Sequence, residues 1–475
     1  MTLSRRVTSA TAQLTLSNAS VRLLSLATMP VLTHLLTPSA YGTAAMAGTV
    51  IALVSVLGLA GMDMSYVRAY REHSTGVGQA IELFAWRYAL GAGIVSCAVV
   101  TASWQTVADT FALPGYLGGL LAVGILLNLA STMSQARARI NDRYRAMSRS
   151  VVISGVGVAF ISLGTAQWWR QDELPLILSM IAGYLLPILI LGGPSIAQLG
   201  TSSGLSLKER LSVLTIGIAG TVTAPVYWVI SSSDRWFLGY FENATSVGIY
   251  SMGYSVAVMG MVVNNAVISV WAPETVKEFQ CDPDRALILL GRMAERLLAG
   301  FACVWLAVTA AGGDLIRLLA APTFHTATAV VPFLAAAVLF HGVTHLANAI
   351  FLQMKRLERT VWIWIGGGLL SIVLNMTLIP LFGILGAAIS QTASFCAIAV
   401  GMTVGAQYLC PLKVSGNRLA CILGGILLMA ILMFPAWTDR PITSLLLKLP
   451  VGLAVSLAVL RVIAPELWDS LRGKA

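Results

Sequence analysis

The chain has 475 residues, 57% of them hydrophobic and 11% charged, with a net charge of +10. So apolar a composition leaves too little polar surface for a water-soluble fold and reads as a membrane protein. The positive charge is scattered between apolar runs and is nowhere gathered into a basic domain, which excludes nucleic acid as a partner and makes Lys and Arg topology signals.

In chain order, the apolar segments predict fourteen spans: 14–35, 42–62, 82–103, 116–135, 150–167, 175–197, 211–231, 246–270, 297–312, 328–350, 361–379, 383–405, 419–435 and 443–463. At about 20 residues per span, the remaining chain is too short for a soluble domain. Residues 1–13 are basic, but no small-residue cleavage pattern follows, so the first span reads as retained. With the N-terminus inside, twenty-two of the 30 Lys and Arg fall in inner tails and loops and five in outer ones. This positive-inside bias predicts that both termini are cytoplasmic. From Ala286, the spacing of Leu289, Leu290, Met293 and Leu297 predicts an amphipathic helix at the inner surface.

A shift of 206 residues places Gly42 on Gly248, Met46 on Met252 and Val50 on Val256. The preceding spans each contain a proline, Pro30 and Pro225. Six spans separate the copies, so the two units have the same orientation, as in parallel-repeat transporters. The predicted fold is therefore all-α, with about 14 transmembrane helices. Two parallel-repeat six-helix lobes, 1–200 and 201–410, surround a central cavity, and 411–475 adds two C-terminal spans.

Ionisable groups inside a membrane are costly and mark pathways or partners. Arg22 shares a helical face with Asn18, Ser25, Met29 and Thr33, a polar stripe that lines a cavity, unless Arg22 snorkels to the inner surface. Arg87, near Glu82, reads as an interfacial anchor or a cavity residue, and Arg68 as a cytoplasmic gate or topology residue. In span 10, His341, His345 and Asn348 lie on one face at i, i+4 and i+7. Cavity lining and helix-to-helix hydrogen bonding both fit; zinc lacks the further ligands it needs. Asn264, in span 8, lines the path or bonds between helices. Asp63, Glu82 and Asp234 sit near span ends, and Asp234-Arg235 is either a substrate site or a salt-bridged corner capping the outer end of span 7. A cavity offering Arg and His but no buried carboxylate suits an anionic ligand, because Arg meets phosphate oxygens bidentately. The six cysteines show no metal spacing. There is no GxxxxGK[ST] and no nucleophile elbow, so neither cofactor, metal nor enzymatic activity is expected.

Five stretches together resemble the polysaccharide transporter family: LLTPSAYGTAAM (Leu35–Met46), GMDMSYVRAYRE (Gly61–Glu72), SDRWFLGYFENATSVGIYSMGY (Ser233–Tyr254), GDLIRLLAAPTFHTATAVVPFL (Gly313–Leu334) and LNMTLIPLFGILGAAIS (Leu374–Ser390). These are the Wzx-type flippases of the superfamily that includes multidrug-and-toxin extruders and the lipid II flippase. The resemblance covers roughly 20–405. It implies a bacterial inner-membrane flippase that moves an undecaprenyl-pyrophosphate-linked oligosaccharide by alternating access, for O-antigen of lipopolysaccharide, capsule or exopolysaccharide. Membrane lipids and polysaccharide polymerase and assembly proteins are the implied partners. The family's Asp-Arg after span 7 falls on Asp234 and Arg235, and its Arg after span 2 on Arg68. A cation-coupled multidrug extruder and a membrane polysaccharide polymerase or ligase are the competing readings.

Overall fold

The computed structural model describes residues 3–72, 75–200, 204–281, 283–411, 437–438 and 440–463. Among them no strand occurs, and eleven helical segments are long and apolar enough to cross a membrane. These eleven are the expected spans 2 to 12, so the chain is a multi-pass membrane protein. Expected span 1 is α1 (Leu3–Leu35), where Ser17, Asn18, Ser20, Arg22 and Ser25 interrupt the leucines. Expected span 13 lies outside the described residues. Span 14 falls in the last helix, α17 (Pro441–Ile463), whose described apolar part runs over Pro441–Gly452.

The chain forms two compact units, Met1–Gly248 and Ile249–Ala475. The first holds α1, α2 (Pro38–Leu59), α3 (Met62–Glu72), α4 (Thr75–Phe111), α5 (Leu117–Ile140), α6 (Tyr144–Trp168), α7 (Leu174–Leu191), α8 (Ile196–Gly200), α9 (Leu207–Thr221), α10 (Thr223–Phe241) and the start of α11 (Ala244–Ala257). Helix α5 is its centre. Leu117, Leu121, Ile125, Leu129 and Met133 repeat every four residues and are all buried, and the helix packs against α2, α4 and α7. Helix α1 runs along α6 in the same direction, with Ser17 Oγ 2.5 Å from Ser148 Oγ near one end and Leu32 and Leu36 on Ala166 at the other.

Span 7 is broken in two. Proline lacks an N–H and its ring clashes with the carbonyl four residues back, here Thr221. Helix α9 accordingly ends at Thr221 and α10 starts at Thr223. Pro30, by contrast, sits inside an unbroken α1. Two indoles hold α10 to α2: Trp228 Nε1 donates to the Thr49 carbonyl at 2.9 Å and Trp236 Nε1 to Thr49 Oγ1 at 2.8 Å.

The turns matched by the 206-residue shift are built alike. Thr37 Oγ1 accepts the Ala40 N–H at 3.2 Å, and Asn243 Oδ1 accepts the Ser246 N–H at 3.0 Å, so both residues are side-chain N-caps. The helices they start then touch reciprocally. A Cβ on Gly42 would stand 1.9 Å from the Ala244 carbonyl oxygen, and one on Gly248 would stand 1.8 Å from that of Pro38. Only glycine permits so close a crossing.

The second unit holds most of α11, α12 (Met261–Cys281), α13 (Pro283–Leu319), α14 (Val331–Gln353), α15 (Leu357–Phe382), α16 (Ile384–Leu409) and α17. Helix α14 is its centre, packed on α12, α13, α15 and α16. The amphipathic segment expected at the inner surface is not a separate helix: α13 runs for 37 residues from Pro283, carrying it straight into span 9.

Candidate functional site

Helix α1 exposes two strips. Leu16, Ser20, Leu23, Ala27 and Val31, spaced 4, 3, 4 and 4, form one; Asn18, Arg22 and Ser25 form the other, two residues and so about 200° away. The first is apolar but for Ser20, whose hydroxyl donates to the Leu16 carbonyl at 2.9 Å, and so suits a face toward lipid. The second is polar, and its continuation closes: Met29 and Thr33 are buried, Thr33 Oγ1 bonding the Met29 carbonyl. The polar face is thus open from Asn18 to Ser25 and shut at Met29 and Thr33. Asn18 Nδ2 donates to the Leu14 carbonyl at 3.0 Å, and Arg22 has no ion-pair partner among the described residues.

Several other basic residues are engaged. Arg68 pairs with Glu72 one turn on, Nε to Oε1 2.8 Å, both exposed. Arg71 donates to the Arg139 carbonyl, Arg87 to the Leu199 carbonyl and Arg143 to the Leu191 carbonyl. Those carbonyls sit in the last turns of α5, α8 and α7, where unpaired C=O groups carry partial negative charge that a cation offsets. Arg68 and Arg87 are thus each tied to neighbours of their own.

Asp234 and Arg235 lie seven and six residues before the end of α10, about 10 Å inside it, and are 1% and 6% exposed. The helix runs on because Trp236 packs edge-on against Phe111 with ring centroids 4.9 Å apart. Arg235 Nη1 lies 3.4 Å from Asp234 Oδ1 and donates to the Ser231 carbonyl at 3.0 Å. The pair does not cap the helix end; it is a buried ion pair within the helix. Removing one member leaves the other charge buried, at a cost of about 3–5 kcal/mol. Arg235→Ala is therefore expected to lower the amount of folded protein in the membrane, measured by immunoblot, whereas Asp234→Asn with Arg235→Gln should recover most of it.

In the second unit Asn264 is buried, its Nδ2 donating to the Val338 carbonyl at 2.7 Å across α12 and α14. Gly342, one turn along, leaves the room; a Cβ there would stand 2.9 Å from Asn264. This is the helix-to-helix bond of the two alternatives. His341 is buried, its Nε2 3.2 Å from His345 Nε2 and its ring edge-on to Phe395. Asn348, one turn beyond His345, is half-buried. Tyr250 Oη to Gln391 Oε1 at 3.2 Å and Ser390 Oγ to the Ser371 carbonyl at 3.3 Å continue a polar seam between helices.

Two ion pairs escape sequence reasoning. Glu82 pairs with Arg137, Oε1 to Nε 2.8 Å, joining α4 to α5 beside the fully buried Tyr66. Asp314 pairs with Lys448, Oδ2 to Nζ 2.9 Å, at 2% and 5% exposure. Asp314 lies inside α13, so an acid does stand within a span; the expected end of span 9 at 312 had left it in a loop. The charges are visible in the sequence, but their partners lie 55 and 134 residues away.

A family model described as a polysaccharide biosynthesis protein matches residues 31–289. No curated protein sequence matches the chain. Among solved structures the chain is similar to the lipid II flippase MurJ in an inward-closed conformation, with 13% identity, a TM-score of 0.73 and coverage of 95% of this chain and 98% of that one. It is also similar to an inward-facing multidrug resistance MATE family transporter of the MOP superfamily, with 14% identity, a TM-score of 0.56 and coverage of 83% and 99%. A MOP superfamily transporter from Pyrococcus furiosus follows, with 15% identity, a TM-score of 0.52 and coverage of 86% and 96%. At such identities the likeness establishes the fold, which is that of the MOP superfamily.

Proposed function

The chain belongs to the polysaccharide biosynthesis protein family, and from that premise we propose that it is a flippase for an undecaprenyl-pyrophosphate-linked oligosaccharide. It moves this lipid from the cytoplasmic to the periplasmic leaflet of a bacterial inner membrane by alternating access, for O-antigen, capsule or exopolysaccharide assembly. The division into 1–200, 201–410 and 411–475 belongs to the same proposal, as does the placing of both termini in the cytoplasm.

The observation that carries this reading is the open polar face of α1. Arg22 stands exposed there beside Asn18 and Ser25, while the same face is shut at Met29 and Thr33. An unpaired guanidinium inside a span is matched to a diphosphate, whose oxygens accept its parallel N–H donors. Asn18 and Ser25 add hydrogen-bonding groups for a pyrophosphate or first sugar. His341, His345 and Asn348 enter as lining of the sugar path, Arg68 and Arg87 as supports of the inner opening.

Three of the acids within the helices favour this over cation-coupled drug extrusion. Glu82, Asp234 and Asp314 are each paired with a base, which leaves none of them to attract a cationic drug. Deletion of the gene is expected to make lipid-linked oligosaccharide accumulate on the inner leaflet, read by its protection from a periplasmic glycan-modifying probe in spheroplasts, with loss of surface polysaccharide. Unchanged glycolipid together with a gain in sensitivity to cationic dyes would sink the proposal and favour the extruder.

A further inference from the structure

Helices α13 and α17 meet across an apolar wall in which Leu306 is buried against Trp305, Ala310 and Val451. Into that wall Lys448 brings an ammonium. Its Nζ lies 2.9 Å from Asp314 Oδ2 and 3.3 Å from the Ala310 carbonyl oxygen. Ser444, one turn before Lys448 on α17, donates its hydroxyl to the same Oδ2 at 2.9 Å and accepts the Trp437 N–H at 3.3 Å. Both charges are almost wholly buried.

A buried ion pair adds little net stability over apolar packing, because desolvation offsets the Coulomb attraction. What it imposes is obligation: neither charge can be buried without the other, so the helices bearing them are held in one register. The geometry around Nζ is also that of a cation site. A carboxylate oxygen and a backbone carbonyl oxygen face it, hard oxygen donors of the kind that bind alkali and alkaline-earth ions, and a hydroxyl sits on the same carboxylate.

We propose that Lys448 is a tethered counter-cation. Its ammonium occupies an oxygen-lined site at Asp314 that, with the lysine removed, takes a free monovalent cation, and its tether fixes α17 on α13. The second unit thereby carries its own ion at this position and draws none from solution. This assignment is independent of the substrate, and it makes the C-terminal helix an integral part of the second unit.

The test is the thermal melting of the purified full-length protein in detergent, with choline chloride, sodium chloride or potassium chloride at equal ionic strength. Lys448→Met is expected to melt about 3–5 °C lower than the unaltered protein in choline and to regain at least half of that in sodium or potassium. Asp314→Asn combined with Lys448→Met should melt within about 1 °C of the unaltered protein, since it removes both buried charges, and should be indifferent to the salt. Should Lys448→Met yield no folded protein in choline, its recovery when extracted in sodium or potassium, beside a double variant recovered in all three, supports the proposal equally. The proposal is overturned if Lys448→Met melts like the unaltered protein in choline, if its loss persists in the double variant, or if sodium and potassium do nothing for it.

Discussion

Gly248→Ala is expected to destabilise the protein strongly, while the same change at Gly91 or Gly300 leaves it unharmed or slightly more stable. All four glycines, Gly42 among them, sit inside helices, where alanine is intrinsically better than glycine by roughly 0.5–1 kcal/mol. At Gly91 and Gly300 nothing lies within 4 Å of the added Cβ, so the propensity gain stands alone. At Gly248 the Cβ would fall 1.8 Å from the Pro38 carbonyl oxygen, and at Gly42 it would fall 1.9 Å from that of Ala244. The obstacle in both cases is backbone, which cannot rotate away as a side chain can. The start of α2 and the start of α11 must separate by more than an ångström, giving up the close crossing and straining the two capped turns beside it. Overpacking of this kind typically costs about 1–3 kcal/mol, and a backbone clash belongs at or above the upper end. Melting curves of the four single variants decide it. A Gly248→Ala protein as stable as Gly91→Ala would mean that the two helix starts do not cross as closely as described.

Those glycines also show what was readable beforehand. The 206-residue shift pairs Gly42 with Gly248 from sequence alone, and Thr37 and Asn243, the same distance apart, follow the capping rule. That the paired glycines touch one another is a matter of tertiary approach, which no local pattern encodes. Spans 2 to 12 were legible because each is a long apolar run between charged loops. The proline of span 7 was visible in the sequence, but it acts four residues upstream of itself, so α9 and α10 divide at Val222, whose backbone stays helical.

Helix ends were less so. Span 7 was expected to end at 231 with Asp234-Arg235 at its outer end, yet α10 continues to Phe241 because Asp234 and Arg235 neutralise each other within the helix and Trp236 finds Phe111 and Thr49. A charged dipeptide reads as an interruption only while its charges are counted singly. Asp314 was misplaced for the same reason: its partner, Lys448, sits 134 residues on, in a helix the sequence treats as an appendage. Of the candidate site, the polar face of α1 was legible from spacing, while the carbonyl partner of Arg87 was not, since a backbone carbonyl leaves no signature in the residue that supplies it.

Arg22→Ala is expected to cut surface polysaccharide by about 10- to 100-fold at an unchanged amount of protein in the membrane. The figure follows from one charge-assisted hydrogen-bonded contact to an ionised ligand, about 1.5–3 kcal/mol, at roughly 1.4 kcal/mol per tenfold. Two roles compete for this arginine, and lysine separates them. If Arg22 only snorkels, its task is to carry a positive charge to the interface, which lysine performs as well; Arg22→Lys would then be fully active, and Arg22→Ala would fail by losing protein from the membrane. If Arg22 holds a diphosphate, lysine keeps the charge but loses the planar pair of donors, and activity should fall between the alanine and arginine forms with the protein level constant. The structure bears on the choice through position. The apolar strip of α1, Leu16, Leu23 and Val31, is the one suited to lipid, and Arg22 lies about 200° around from it on a face that ends at buried Met29 and Thr33. A snorkelling arginine has no need of a polar face; a ligand-binding one does, which is why Asn18→Ala and Ser25→Ala should each lower surface polysaccharide by a smaller factor in the same direction.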